Sequence, residues 1–210
     1  MNNFNQPLTR GDIITIMNAA QDEGKPVDLR RADLGGLDLQ GLDLRSGNLN
    51  EADLHRVNLR GVDFRDGTAT FANFIRADLS QADVRNTNLV FANFRLATLE
   101  GINLSESNLS ATDFFGAVLK GAVLVDVNLS EANLSEANLS EANLEASNLQ
   151  ETNLSEANLS RANLCETNLS WANLNQTTLK RAIYDDNTRW PDEFNPAKFG
   201  ATKKKRWFLF

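Results

Sequence analysis

An apolar or aromatic residue, usually leucine or phenylalanine, recurs every fifth residue from Leu29 to Tyr184, and the frame never slips. The other positions are mostly small or polar, so the unit reads Ala-(Asp/Asn)-Leu-x-x, as in residues 132–141. Counting the central positions from 29 to 184 gives (184 − 29)/5 + 1 = 32 units. An internal repeat is stronger evidence of architecture than composition is. We therefore expect the chain to consist mainly of copies of one five-residue unit that stack on each other.

A period of five fits neither a regular helix nor a flat strand. On an α-helix five residues advance about 500°, so successive leucines would spiral around the axis. On a strand they would point to opposite faces, because side chains alternate with period two. If the chain turns once in every unit, each pentapeptide becomes a short extended segment whose leucine points inward. The residue two positions earlier then also points inward, and small residues occupy it: Ala32, Ala52, Ala72, Ala77, Ala82, Ala132, Ala157 and Ala172. The spacing therefore predicts a coil with three outward, polar positions in every unit.

The run from residue 27 to 186 resembles the pentapeptide-repeat proteins in this unit and its uninterrupted frame. The resemblance implies an all-β solenoid, a right-handed quadrilateral β-helix with four pentapeptides in each coil. The 32 units would then make 32/4 = 8 coils. At the usual strand spacing of about 4.7–4.9 Å, the stack would be a rod of about 38 Å.

The segment 1–26 is predicted to close the first coil with a short α-helix at about residues 9–23. Thr9 and Asp12 form a variant capping box, and Gly24 and Pro26 are typical of a helix end. One apolar stripe follows helical spacing: Ile13, Ile16, Met17 and Ala20. A helix that binds a separate partner is the alternative.

The segment 187–210 lies beyond the repeat, and its first part is similar to the C-terminal segment of cyanobacterial members of the family. We expect Trp190 and Phe194 to cover the last coil. Residues 203–210 combine a basic run with aromatic residues. Weak contact with an anionic membrane surface is one interpretation of that tail, and a tail without a role is the other.

Composition limits the function classes. The net charge is −7, and the chain has a single cysteine and a single histidine. One cysteine cannot form a disulfide framework and residues 1–6 do not resemble a secretory signal, so we predict a cytoplasmic protein. Phosphate-binding and nucleophile-elbow motifs are missing. His55 and Cys165 occupy predicted outward positions, where we expect a solvated imidazole without a metal cluster and an unreactive thiol. The sequence therefore predicts no enzyme, no cofactor and no metal site.

Acidic residues concentrate on one predicted side of the coil, in a column at spacings of 20 or 40 residues and beside it. The residues of this acidic side are Asp66, Asp83, Glu106, Asp126, Glu145, Glu166, Asp185 and Asp186. A solvated face is one interpretation. A docking surface for a basic protein partner is the other.

The acidic side also suggests an alternative function. Some quinolone-resistance members of the family resemble B-DNA and bind DNA gyrase, so the resemblance allows a DNA-mimicking regulator of a topoisomerase. The likeness is partial, because another side carries Lys120, Arg161, Lys180 and Arg181. We expect no direct binding of nucleic acid.

An apolar patch is predicted on the outside of the third to fifth coils. Its residues are Phe71, Ile75, Val90, Phe91, Leu96 and Phe115. Phe74, Phe94 and Phe114 replace the inward leucine at intervals of 20, which predicts a phenylalanine stack, and Ala69 makes room beside it. Two interpretations stay open: a widened core could fold outer aromatics inward, or the patch could contact a partner or a second copy. The leading hypothesis is a non-enzymatic protein-interaction module, a monomer or weak dimer.

Overall fold

The computed structural model describes residues 8–204, and a four-sided coil forms most of it. The residue before each central leucine pairs in parallel with the residue 20 positions later, from Asp28 with Asn48 to Asn163 with Ile183. Four pentapeptides therefore complete one turn, and each turn forms backbone hydrogen bonds with the next. In one repeat, the amide of Leu134 donates to the carbonyl of Asn153 at 2.7 Å.

A tight turn at the end of each pentapeptide makes the coil possible. The last residue of almost every unit has a positive φ, as in Glu136 at 59° and Glu141 at 65°. The amide of the next residue commonly bonds back to the central carbonyl, as Ala137 does to Leu134 at 3.1 Å. A type II turn has this geometry. The predicted bend in every unit is confirmed, and it explains how a period of five keeps the leucines on one side.

The central leucines and the small residues two positions before them fill the interior. Leu134 and Ala132 are each 1% exposed. Phe74, Phe94 and Phe114 stack with ring centroids 4.6 and 4.8 Å apart, which confirms the predicted phenylalanine stack. Where hydroxyl side chains replace the inner alanine, most donate to a carbonyl of the preceding turn, as Thr167 does to Leu144 at 2.9 Å, and Thr112 donates to Leu109 in its own turn. These polar groups are therefore buried with a partner.

Asparagine and aspartate recur before the central leucine because their side chains serve two neighbours. The Oδ1 of Asn153 accepts a hydrogen bond from the amide of Ser155 at 3.1 Å. Its Nδ2 donates to Oδ1 of Asn133, one turn earlier, at 3.3 Å. The first bond supports the corner and the second links successive turns.

Segments outside the repeat pack on both ends of the coil. The helix α1 spans Arg10–Asp22, within the predicted 9–23, and Thr9 and Asp12 form its capping box. Ile13 is fully buried against the core, and Arg10 donates to the carbonyl of Asp38 at 2.7 Å. Among the described residues, no helix is long and apolar enough to cross a bilayer.

At the other end, the strand β1 (Ile183–Tyr184) pairs in parallel with β2 (Thr202–Lys203), and a 3₁₀ turn spans Pro196–Phe199 between them. Trp190 and Phe194 pack against the core as predicted, and their rings stack with centroids 5.4 Å apart. The predicted basic and aromatic tail lies largely outside the described residues.

Candidate interaction surfaces

Two phenylalanines form the exposed centre of the predicted apolar patch. Phe71 and Phe91 are 61% and 53% exposed, and their rings stack with centroids 4.9 Å apart. Leu96 is 45% exposed, whereas Ile75, Val90 and Phe115 are half-buried. The interpretation that a widened core folds these outer aromatics inward is wrong for Phe71 and Phe91, because the core accommodates its own phenylalanine stack without them.

Neighbouring side chains hold the half-buried part of the patch in place. The guanidinium of Arg95 lies 4.3 Å from the ring centroid of Phe115 and forms an ion pair with Asp113 at 3.1 Å. Leu96 lies over Gly116, where an added Cβ would approach Leu96 Cδ2 to 2.9 Å. The patch is thus an ordered surface of apolar groups with a fixed cation in it.

Backbone conformation gives no reason for large apolar residues at these corners. The φ angles of Phe71, Phe91 and Leu96 are 58°, 60° and 58°. The left-handed region costs an L-residue roughly 1–2 kcal/mol, and glycine avoids that cost. Because these side chains are also exposed, neither the fold nor burial selects them. A cluster of exposed apolar residues that the fold does not require is a candidate interaction surface.

Trp171 is an exposed aromatic residue that the sequence analysis did not identify. Trp171 is 68% exposed, with φ of 59°. It lies 80 residues after Phe91, four full turns along the same corner column. Sorting apolar residues by column would have found it, as it found Phe71 and Phe91.

The predicted acidic column exists, but several of its carboxylates already have partners. Asp83 forms ion pairs with Arg85 at 2.8 Å and with Arg65 at 3.5 Å. Asp186 pairs with Lys203. The others with partners accept hydrogen bonds: Asp66 from Asn86, Glu145 from Asn163, and Asp185 from the amides of Glu166, Asn187 and Thr188.

Besides the predicted acidic side, acidic residues also form a belt around two turns of the coil. Glu106, Asp126 and Glu166 of the column form no ion pair within residues 8–204. Residues 121–160 contain no lysine or arginine, and their acidic residues form the acidic belt: Asp126, Glu131, Glu136, Glu141, Glu145, Glu151 and Glu156. The sequence analysis missed the belt because it grouped charges by side and not by turn.

The first turns carry a different charge pattern, an aspartate–arginine ladder. Its members are Asp43, Asp63, Asp83, Arg45, Arg65 and Arg85. Arg65 contacts Asp63 at 2.7 Å in its own turn and Asp83 at 3.5 Å in the next. Hydrogen bonds from the arginines hold the pKa of each aspartate below its ordinary value, although partial burial opposes the effect.

The structure corrects the predicted exposure of Cys165 and shows which groups lie near His55. Cys165 is 1% exposed rather than outward in water, because Glu145 and Asp185 lie one turn below and above it in the same column. Burial, with the nearby Asp185 carboxylate, raises the pKa of its thiol. His55 does not stand apart from other ligands, since Asp33 and Asp53 lie close to it.

These features define a solenoid of stacked five-residue units with an apolar patch and an acidic belt on its outer surface. The chain belongs to the pentapeptide-repeat family: the family model "Pentapeptide repeats (8 copies)" matches residues 28–66, 72–110, 112–150 and 142–181. The fold of that family, a right-handed quadrilateral β-helix, agrees with the four-sided stack.

Several solved structures are similar to this chain, and the first one named here supports the fold. A trypsin-treated variant of QnrB1, a plasmid-mediated fluoroquinolone resistance protein, is 20% identical, with a TM-score of 0.68 over 84% of this chain and 87% of its own. HetL from the cyanobacterium Nostoc sp. strain PCC 7120, involved in heterocyst differentiation regulation, is 26% identical, with a TM-score of 0.34 and coverage of 83% and 94%. Rfr23 from the cyanobacterium Cyanothece 51142 is 25% identical, with a TM-score of 0.32 and coverage of 84% and 98%. No curated protein sequence matches the chain.

Proposed function

We propose that this protein is a non-enzymatic interaction module that binds a protein partner through the apolar patch. The observation that carries the proposal is the stacked, exposed pair Phe71 and Phe91 at corners where the backbone favours glycine. In this proposal the body is a right-handed β-helix of about eight coils with α1 as its N-terminal cap. It acts in the cytoplasm as a monomer or weak dimer.

The patch and the acidic belt have different roles in the proposal. Stacked phenylalanines supply apolar area that a partner can bury, and aromatic residues are enriched among the side chains that dominate binding energy. The belt supplies a negative potential that accelerates encounter with a basic partner and falls off with salt. We therefore expect the partner to carry an apolar anchor and a basic region.

The test compares the wild type with the double variant Phe71→Asp, Phe91→Asp. Affinity capture from the native cell identifies candidate partners, and each candidate is then titrated as a purified protein. We expect the double variant to weaken binding at least tenfold while its unfolding transition stays within about 0.5 kcal/mol of the wild type. Aspartate tolerates the left-handed corner better than phenylalanine does, so the fold is not expected to suffer.

Ala111→Asp is the matched control, because Ala111 lies in the same corner column with φ of 54°. It adds a charge one turn beyond Phe91 without removing an aromatic ring, so binding should change little. Full binding by the Phe71→Asp, Phe91→Asp protein would exclude the patch as the contact surface. Global unfolding of that variant would instead give these rings a structural role.

A further inference from the structure

A histidine and two aspartates come together on the first two turns, away from the apolar patch and the acidic belt. Asp33 and Asp53 occupy the same position of successive turns and are bridged through their backbones. Nδ1 of His55 lies 3.0 Å from Oδ1 of Asp53. One potential ligand atom from each of the three residues lies within 4.8 Å of the others.

Among the described residues, no arginine neutralises this pair of aspartates as the arginines of the aspartate–arginine ladder do. In the aspartate–arginine ladder, every aspartate has an arginine two residues later. After Asp33 and Asp53 the equivalent positions hold Gly35 and His55. Within residues 8–204 Asp33 forms no ion pair, and the ion-pair contact of Asp53 is with His55. Two carboxylates thus share their surroundings with one imidazole.

Gly35 provides the space for the imidazole. A Cβ added at Gly35 would collide with the ring and lie 2.5 Å from its Nδ1. The φ of Gly35 is not in the left-handed region, so backbone freedom does not account for this glycine. Its absent side chain allows His55 to lie across the first turn, beside Asp33, and glycine commonly occurs where such a close approach is needed.

We propose that Asp33, Asp53 and His55 form a binding site for a divalent transition-metal ion of the zinc class. Two carboxylate oxygens and one imidazole nitrogen are a donor set that suits zinc, cobalt or nickel better than magnesium or calcium. Metal–nitrogen bonds of about 2.0–2.1 Å and metal–oxygen bonds of about 2.0–2.2 Å put adjacent donor atoms roughly 3–3.5 Å apart. Nδ1 of His55 and Oδ1 of Asp53 are hydrogen-bonded at 3.0 Å, the lower end of that range, so an ion between them would replace this hydrogen bond.

The site leaves room for water and links two turns. The side chains of Asp53 and His55 are 45% and 44% exposed, so water would have access to complete the coordination of a bound ion. Because Asp33 belongs to the first turn and the other two ligands to the second, a bound ion would join the turns. It should therefore stabilise the N-terminal end of the stack when it is bound.

The single histidine makes a direct test possible in the full-length, untagged protein. Calorimetric titration with Zn²⁺ should show one ion bound per chain, and millimolar Mg²⁺ should not displace it. Imidazole nitrogen NMR then reports on His55 alone, because the chain has one histidine. We expect Zn²⁺ to shift a ring nitrogen signal of His55 in step with the binding isotherm. An unchanged spectrum at saturating Zn²⁺ would overturn the proposal.

Matched variants separate this site from other carboxylates. His55→Asn, Asp33→Asn and Gly35→Ala should each weaken Zn²⁺ binding at least tenfold, the last by displacing the ring. Asp43→Asn is the control, because it removes an arginine-paired aspartate of the first turn and should leave the affinity within twofold. If His55→Asn binds zinc like the wild type, the ion is held elsewhere and the inference is wrong. Thermal melts without metal check that each variant is folded.

Discussion

At the scale of single residues, the corner of each unit imposes a backbone conformation that most side chains disfavour. Ala111 has φ of 54° and is only half-buried. Burial of its methyl group therefore offsets little of the cost of that backbone conformation. Ala111→Gly removes a cost of roughly 1–2 kcal/mol, partly offset by the larger entropy of the unfolded glycine chain, about 0.4–1 kcal/mol. We expect neutral to stabilising behaviour in urea unfolding.

Ala117→Gly is the opposing control for the corner prediction. Ala117 is fully buried at an inner position and has no positive φ. Loss of its methyl group removes about 0.8 kcal/mol of burial, and the added flexibility destabilises further. If both glycine variants destabilise equally, the corner conformation carries no cost in this fold.

The inner leucines should be far more sensitive than the outer residues of the same units. Leu139 is fully buried, so Leu139→Ala should lower the free energy of unfolding by about 2–5 kcal/mol. Glu136 is exposed at a corner, and Glu136→Gln should change it by less than about 0.5 kcal/mol. Urea titrations of both proteins provide the measurement. A Leu139→Ala protein as stable as the wild type would contradict a single close-packed interior.

Residues of the interior could be predicted individually because the position in the five-residue unit decides whether a side chain is buried. Phe94 was predicted in an inner stack from its spacing of 20 residues to Phe74, and the rings do stack. The burial and contacts of outer residues depend on the side chains one turn above and below. The five-residue pattern carries no information about those neighbours. Cys165 is buried by neighbours of that kind, and His55 lies over Gly35 because that glycine has no side chain.

At the scale of elements, the aspartate–arginine ladder couples the second turn to the first and third. Because its aspartates titrate, its contribution to the free energy of unfolding should depend on pH. The pKa values of its aspartates are lowered in the folded state. A depressed pKa contributes stability above the unfolded value of about 3.9, and that stability is lost as the pH falls through the folded values. Acidification from pH 6 to pH 3 should therefore destabilise the wild type more than Arg65→Gln.

Arg76→Gln is the control for the ladder, because Arg76 forms no ion pair in the part of the chain that the structure describes. Its acid sensitivity should equal that of the wild type. At pH 7 each exposed pair contributes only about 0–1 kcal/mol, so the informative quantity is the difference between the two pH values. Identical pH profiles for wild type and Arg65→Gln would show that the ladder contributes nothing to stability.

The ladder and the acidic belt also show what the sequence could not predict at this scale, namely which charged side chains of a column form ion pairs. The sequence predicted the columns correctly, since residues 20 apart do lie above one another. Whether an aspartate in a column is free depends on the direction of a neighbouring arginine side chain. For that reason Asp83 was predicted as part of an acidic docking side, although two arginines neutralise it.

At the scale of the whole molecule, the net charge differs between the two halves of the repeat region. Residues 27–106 contain nine arginines and twelve carboxylates, a net charge of −3. Residues 107–186 contain four basic residues and eleven carboxylates, a net charge of −7. A basic partner would therefore be attracted to the C-terminal half, whereas the apolar patch lies nearer the middle.

This distribution argues against mimicry of DNA and supplies the last prediction. B-DNA carries one charge per about 1.7 Å, or about 22 charges over a length of about 38 Å, against a net −10 for the repeats. Half of this rod also presents arginines that would repel a DNA-binding groove. We expect no inhibition of gyrase supercoiling at micromolar protein, with QnrB1 tested in parallel as a related protein of similar fold. Inhibition that Glu131→Gln, Glu136→Gln or Glu151→Gln relieves would instead favour the topoisomerase alternative, with the acidic belt as the contact.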